Sequence, residues 1–179
     1  MGKPYPELDE ALRQFIQAQS VFFIATAPLD PNGHVNLSPK GLDTFRILGP
    51  RTVAYLDLVG SGVETISHVK ENGRIVIMFC AFEGPPKVLR LHGRARVILP
   101  ADAEFPEFAR QFPAYDGVRG IIIAELTRIN DSCGYGVPLL KHESERPQLP
   151  AWIDRKGPDG LKQYQRDKNA KSLDGLPGV

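Results

Sequence analysis

The sequence lacks an excess of charge of either sign. Its 179 residues include 22 Lys and Arg against 21 Asp and Glu, which gives a formal net charge of +1. Binding to nucleic-acid phosphates or to anionic membrane surfaces depends on an excess of cations, so this balance argues against both. We therefore expect neither a nucleic acid nor a membrane among the partners of this protein.

Long apolar runs are missing as well. No run approaches the roughly 18 residues that a membrane-spanning helix requires. The first six residues, MGKPYP, contain none of the apolar segment of a secretion signal. Together these two absences predict a cytoplasmic protein.

Cysteine is scarce, since only Cys80 and Cys133 are present and neither belongs to a C-x-x-C pair. The four histidines show no spacing that is typical of metal ligands, such as i and i+4 on a helix. A lone cysteine without a paired base is no sign of a nucleophile. The sequence therefore predicts no metal site, and it assigns no catalytic residue.

Turn-forming residues, in contrast, are abundant, with 17 Gly and 16 Pro. Short apolar runs between the turns predict strands, and apolar residues at helical spacing predict a few short helices. The predicted strands cover residues 21–26, 35–38, 44–48, 52–58, 74–82, 88–99 and 118–129, and the predicted helices cover residues 7–19, 63–72 and 101–112. This pattern is typical of a mainly β protein built as a closed or nearly closed antiparallel barrel.

The composition changes beyond about residue 131. Only nine of the 29 residues at positions 151–179 are apolar, too few to form a core of their own. We therefore divide the chain into a barrel domain of residues 1–138 and a C-terminal arm of residues 139–179. The arm is expected to pack either on the barrel or on a second subunit.

Residues 60–62, which we call the Gly-Ser-Gly loop, precede the second predicted helix. Ser61 and Glu64 have the spacing of a capping box, in which the hydroxyl and the carboxylate each bind a backbone amide at the helix start. The free amides of such a start can also bind an anion. The loop is thus either a well-capped turn or part of an anion site.

Two further segments carry side chains that could bind an anion. Strand alternation places Ser38 on one face, with Lys40 beyond the Pro39 bend on roughly the same side, and a hydroxyl beside an ammonium suits a phosphate. A solvated turn lysine is the alternative. In residues 89–97, alternate side chains on one face of the predicted strand are cationic or titratable. This face is either exposed to solvent on the outside of the barrel or binds an anionic partner. This row of side chains consists of Arg90, His92, Arg94 and Arg96.

Taken in order, four segments resemble the pyridoxamine 5′-phosphate oxidase-like family of FMN-binding split barrels. They are VNLSPKG at 35–41, VAYLD at 53–57, GSGVET at 60–65 and LRLHGR at 89–94, and the resemblance covers roughly residues 8–130. It implies a six-stranded antiparallel split β-barrel that forms a homodimer and holds two FMN molecules between its subunits. We also expect residues from Asp131 onward to cross to the partner subunit, because the arm is too polar to form a core of its own and the family places its flavin at a subunit interface.

The resemblance further implies which residues contact the cofactor. They lie on the matching strands, on the phosphate loop and the helix start that follows it, and on the loop after the last strand. The residues expected to contact the cofactor are Ser38, Lys40, Tyr55, Ser61, Gly62, Thr65, Arg90 and Tyr135. We expect FMN rather than FAD, because no Gly-x-Gly-x-x-Gly element is present to bind a pyrophosphate.

This chain departs from the pyridoxamine 5′-phosphate oxidases proper at two points. They carry an Arg-Lys pair after the serine of the phosphate loop, where this chain has Gly62 and Val63, and they end in an Arg-Leu-His-Asp-Arg-like segment that is missing here. We therefore expect an FMN-dependent oxidoreductase with another small-molecule substrate. The alternatives are a non-catalytic flavin- or haem-binding module and a reductase that uses the deazaflavin F420, whose anionic tail could lie along the basic row of residues 90–96.

Overall fold

The computed structural model describes residues 4–179. The expected absence of a secretion signal concerns residues 1–6, of which residues 1–3 lie outside this range. Within this range the chain forms eight strands and four helices. The strands are β1 (Pro4–Tyr5), β2 (Phe22–Thr26), β3 (Asn36–Lys40), β4 (Phe45–Ile47), β5 (Thr52–Leu58), β6 (Arg74–Cys80), β7 (Val88–Ile98) and β8 (Val118–Ser132). The helices are α1 (Glu10–Gln17), α2 (Glu64–Asn72), α3 (Phe105–Ala109) and α4 (Gln148–Lys168). None of these helices is long and apolar enough to cross a membrane.

All strands pair antiparallel in one sheet, and seven of them have the order β3-β2-β6-β7-β8-β5-β4. The eighth strand, β1, is not part of this order and pairs with β8. The predicted mainly β, antiparallel architecture with short helices is confirmed. The strand count of six is corrected to eight within residues 4–179. The one strand that the sequence pattern does not predict is β1, which contains only two residues.

The core lies between the strands and is rich in aromatic rings. Phe22, Phe45, Tyr55 and Phe79 pack with ring centroids 5.1 to 5.8 Å apart, mostly edge to face. Such pairs add about 0.5–1.5 kcal/mol each beyond the burial of their surface. The long isoleucine-rich strand β8 pairs with both β5 and β7, so it is an interior strand of the sheet.

The helix α2 begins differently from what the capping-box spacing predicts. Its N-cap is Val63, without a side-chain hydrogen bond, and the Glu64 carboxylate instead accepts from the amide of Leu173 at 3.2 Å. The predicted capping box of Ser61 is therefore wrong. The predicted end is confirmed, because Gly73 adopts the left-handed conformation that favours glycine, with φ of 69°.

The C-terminal arm contains α4, a helix that the sequence reading did not predict. Gly157 interrupts it with a φ of 64°, and Pro158 follows. Ile153 and Leu161 are buried against Val59 of the same chain. Within one chain the arm therefore packs on its own barrel, and its crossing to a partner subunit stays a prediction.

Candidate functional site

A cavity of about 1170 Å³ opens beside the strand β3 and the start of α2. Its wall includes side chains from β3 and β5, the Gly-Ser-Gly loop, the first turn of α2, and one residue of β8. Residues 18–21 and 82–83 and part of the C-terminal arm complete it. Strand alternation explains the wall of β3, because Asn36, Ser38 and Lys40 point to one face while Leu37 is exposed on the other.

Asp57 lies fully buried in this region, at the end of β5. One of its oxygens, Oδ1, accepts a hydrogen bond from the Lys40 ammonium at 3.0 Å. The other, Oδ2, accepts from Nε of Arg119 at 2.9 Å. Two cations thus share one carboxylate, so the group as a whole carries one net positive charge.

A β-bulge places Arg119 at this position. Asp57 pairs with Gly120 and Leu58 pairs with Val118, so Arg119 is the extra residue on β8. Bulges redirect a side chain that regular alternation would place elsewhere. Nη1 of Arg119 donates to the carbonyl oxygens of two residues of the Gly-Ser-Gly loop, Gly60 at 3.2 Å and Gly62 at 2.5 Å.

The Gly-Ser-Gly loop is also bound by the C-terminal arm. Nδ2 of Asn169, a fully buried residue, donates to the carbonyl oxygens of Gly60 at 2.9 Å and Ser61 at 3.4 Å. Among residues 4–179 the amides of the first three residues of α2, Glu64, Thr65 and Ile66, donate to no acceptor. Such free amides carry the positive partial charge of a helix start, which attracts anions.

A polar network extends from the cavity into the protein. Nδ2 of Asn36 donates to the hydroxyl oxygens of Thr26 at 3.2 Å and Thr65 at 3.0 Å, and Oδ1 of Asn36 accepts from Ser38 at 2.9 Å. Since Thr26 accepts from Asn36, its own hydroxyl hydrogen is available for Nδ1 of His68, 3.0 Å away. This assignment places the ring proton of His68 on Nε2, which is buried without a partner among the described residues. Burial lowers the pKa of His68 below its ordinary 6.5.

The cavity brings together half of the residues that the sequence predicts to contact a cofactor. Those in its wall are Ser38, Lys40, Gly62 and Thr65. Ser61 is exposed on the Gly-Ser-Gly loop and is not part of the cavity wall. Within this single chain the other three residues lie elsewhere.

Tyr55 is buried in the aromatic core, where burial raises the pKa of its hydroxyl well above 10. Arg90 donates to the Ser132 hydroxyl at 3.0 Å, away from the cavity. Tyr135 is 82% exposed. None of these three residues is part of the cavity wall within one subunit.

The basic row of β7 is bound mainly within the protein. Arg94 donates to the carbonyl oxygen of Asn72 at 2.7 Å, and Arg96 forms an ion pair with Glu104. Of residues 90–96, none contributes to the wall of the cavity. The row therefore does not form a basic groove that continues this cavity.

The C-terminal arm supplies a charged wall. Residues 140–149 contribute eight residues to the cavity wall, among them Lys141, His142 and Arg146. The amide of Leu140 donates to the carbonyl of Phe82 at 2.9 Å, which ties this segment to the turn between β6 and β7. Lys141, Arg146 and Glu145 all belong to this wall, so it can bind polar groups of either charge.

Sequence reasoning missed Arg119 and Asn169 as functional candidates. Arg119 is the only charged residue in the first half of the apolar strand β8, and Asp57 is the only one in β5. A lone acid and a lone base in two buried strands are a signal for a buried ion pair, since such charges are rarely buried alone. Asn169 offers no comparable signal in the sequence.

Comparison with known proteins places this geometry in context. The family model described as pyridoxamine 5′-phosphate oxidase matches residues 8–133. The pyridoxamine 5′-phosphate oxidase family protein ustO of Aspergillus flavus is 37% identical over 192 aligned residues, which cover 98% of this chain and 77% of that protein.

Solved structures with the same fold are more distant in sequence. HupZ from Group A Streptococcus superposes with a TM-score of 0.55 at 20% identity, covering 70% of this chain and 94% of that one. A putative pyridoxamine 5′-phosphate oxidase from Lactobacillus delbrueckii gives a TM-score of 0.56 at 16% identity, covering 72% of this chain and 98% of that one. These likenesses show the fold, which is a split β-barrel.

Proposed function

This chain belongs to the pyridoxamine 5′-phosphate oxidase family, and we propose that it is a flavoprotein that holds FMN in the cavity beside β3 and α2. We further propose that it acts as an FMN-dependent oxidoreductase on a small molecule. The observation that carries the proposal is the group of Lys40, Asp57 and Arg119, whose net positive charge borders the free amides of α2.

The residues in the cavity wall fit a phosphorylated flavin. Lys40 and the hydroxyls of Ser38 and Thr65 would bind the phosphate together with the amides at the start of α2. Gly62 suits this place, because a Cβ there would lie 2.3 Å from Oε2 of Glu64. When bound, FMN supplies the hydride or electron transfer, and the protein binds and orients its ring.

FMN fits better than FAD because every candidate anion site is local. Lys40, the Gly-Ser-Gly loop and the start of α2 would surround one phosphate, and the chain has no Gly-x-Gly-x-x-Gly element for a pyrophosphate. The basic residues 90–96, which the F420 alternative would require near the cofactor, lie outside the cavity wall.

The substrate is proposed to differ from pyridoxamine 5′-phosphate. The chain has neither the Arg-Lys pair after the loop serine nor the C-terminal Arg-Leu-His-Asp-Arg-like segment. In place of that segment, Lys141 and Arg146 of the arm line the cavity with Glu145 between them. These side chains would bind a small polar substrate beside the flavin.

We propose a homodimer as the functional assembly, because members of this family hold FMN between subunits. The edge strand β3 supports this, since it carries Leu37 with 64% of its surface exposed, next to Val35 with 74% exposed. Exposed apolar residues on an unpaired edge favour contact with another chain.

An absorption spectrum of the purified protein tests the proposed cofactor. We expect a flavin spectrum, and the released cofactor is expected to have the mass of FMN. A spectrum of F420 or haem, a released mass of FAD, or a colourless protein that does not bind added FMN would contradict the proposal. Reduction of the bound flavin by NADH or NADPH, followed by reoxidation with candidate acceptors, separates an enzyme from a non-catalytic flavin carrier.

A further inference from the structure

We propose that Arg119 and Asn169 are positioning residues that hold the Gly-Ser-Gly loop in the conformation that receives the flavin phosphate. This inference rests on the proposed function. Arg119 lies within the matched residues 8–133 but in none of the four segments that carry the resemblance, and Asn169 lies in the C-terminal arm, beyond the matched residues.

The first argument comes from the carbonyl groups of the loop. All three of them, those of Gly60, Ser61 and Gly62, accept hydrogen bonds from Arg119 or Asn169, and Gly60 accepts from both. In a planar trans peptide the N–H points opposite to the C=O. Because Arg119 and Asn169 bind the carbonyl oxygens of residues 60–62, the N–H groups of residues 61–63 point away from these two side chains. The bound carbonyl oxygens also do not repel an approaching anion.

The second argument concerns flexibility. Two glycines in a three-residue loop give the backbone many accessible conformations, and ordering them carries an entropic cost. Arg119 and Asn169 have at most 5% of their surface exposed, so their hydrogen bonds to the loop are shielded from water. A loop that is already ordered loses less entropy when it binds a ligand.

The third argument is the geometry of the guanidinium. Nε and Nη2 of Arg119 face Asp57, while Nη1 faces the loop, so one planar group joins two partners. A lysine at this position would retain the charge beside Asp57 but could not serve both partners with the same fixed geometry. Arg119→Lys thus separates the positioning role from the charge.

Asn169 makes an equally specific contact through the NH2 group of its side chain. Its Oδ1 is buried without a partner among the described residues, which is unfavourable for a polar atom. Close packing fixes its backbone, because a Cβ on Gly178 would lie 1.9 Å from the Asn169 carbonyl oxygen. The arm thereby orders the loop through a single amide group.

The test compares the affinities of the protein for FMN and for riboflavin, which differ only in the phosphate. We expect Arg119→Lys and Asn169→Ala each to lower the ratio of the riboflavin Kd to the FMN Kd by about tenfold or more. The Kd for riboflavin should stay within about threefold of the wild-type value, since the ring contacts are retained. Arg96→Lys, which alters an exposed ion pair outside the cavity, is the matched control and should leave the ratio unchanged.

The outcomes separate this inference from the proposed function. A wild-type protein that binds neither flavin overturns both. A wild-type protein that prefers FMN, with both variants keeping its ratio, overturns only the positioning role. An equal loss of FMN and riboflavin affinity in both variants would assign the two residues a merely structural role and would also overturn it. If one variant fails to fold, the ratio of the other decides.

Discussion

The guanidinium of Arg119 binds the carboxylate of Asp57 across 62 residues of sequence, with Nε 2.9 Å and Nη2 2.8 Å from Oδ2. Both side chains are almost completely buried, and Lys40 is the second cation on the same carboxylate. Removing one member of a buried ion pair leaves an uncompensated charge, which is far more unfavourable than loss of an exposed pair. The group therefore links the stability of the barrel to the charge of the cavity.

Replacing the shared carboxylate tests this link. We expect Asp57→Asn to lower the free energy of unfolding by about 3–5 kcal/mol, because Arg119 remains buried without its counter-ion. Urea unfolding followed by circular dichroism measures the change. Asp43→Asn is the matched control, since its ion pair with Arg46 is partly exposed and should contribute at most about 1 kcal/mol. Equal losses of unfolding free energy in the two variants would show that the buried ion pair contributes no more to stability than the partly exposed one.

The second prediction concerns the phosphate. Lys40→Ala should weaken FMN binding by about 1.5–3 kcal/mol, the range for a hydrogen bond to a charged group, while Lys40→Arg should retain much of the affinity. Titration of the flavin fluorescence gives the two dissociation constants. Lys87→Ala serves as control because Lys87 lies outside the cavity wall. An unchanged FMN affinity in Lys40→Ala would show that Lys40 serves only Asp57.

The sequence predicts the barrel well where local signals agree. The apolar run at residues 52–58 predicts a strand, and β5 occupies the same residues. The helix α2 ends at Gly73, as the sequence predicts. Glycine adopts the left-handed conformation that ends a helix more readily than other residues, so this end depends on the local sequence alone. On β3, alternation correctly placed Ser38 and Lys40 on one face.

The remaining features depend on contacts between distant segments. The Glu64 carboxylate had the spacing of a capping box, yet it binds the amide of Leu173, 109 residues away. The direction of Arg119 depends on a bulge against β5, and no pattern within β8 reveals it. The helix α4 was missed because Gly157 and Pro158 disrupt its sequence, while burial of Ile153 on the barrel stabilises it.

The third prediction follows from the buried histidine. Burial lowers the pKa of His68 below 6.5, against the opposing effect of the nearby carboxylates of Asp174, Glu64 and Glu71. As the pH falls below 6.5, the unfolded chain takes up a proton at this residue before the folded protein does. The contribution of His68 to the free energy of unfolding therefore decreases with falling pH in this window, by at most about 1.4 kcal/mol per pH unit for one proton.

The variant His68→Gln should remove this contribution. We expect its free energy of unfolding to depend less steeply on pH below 6.5 than that of the wild type, as measured by urea unfolding at a series of pH values. The pKa of His92 is also lowered, first by burial, but His92 is present in both proteins and its effect cancels in the difference. Identical slopes in wild type and variant would contradict the assigned burial of a neutral ring.

The last prediction concerns the assembly and the position of the arm. Light scattering of the full chain should give twice the mass of one subunit. Within one chain the arm is bound to the turn before β3, where His34 Nδ1 lies 2.6 Å from Oδ1 of Asp174 and the His34 amide donates to Oδ2 at 2.8 Å. Further contacts, such as the one between Lys70 and the carbonyl of Gly178, hold the arm independently of this pair.

A short bifunctional thiol reagent can show whose barrel the arm contacts. We expect His34→Cys combined with Asp174→Cys to yield a cross-linked product of monomer size on a denaturing gel, because the two side chains touch within one chain. Replacing Cys80 and Cys133 by serine removes the native thiols, and each single-cysteine variant is the control for random cross-linking. A covalent dimer from the double variant alone would place the arm on the partner subunit. Asn169 would then order the Gly-Ser-Gly loop of the other subunit, so each flavin site would need both chains.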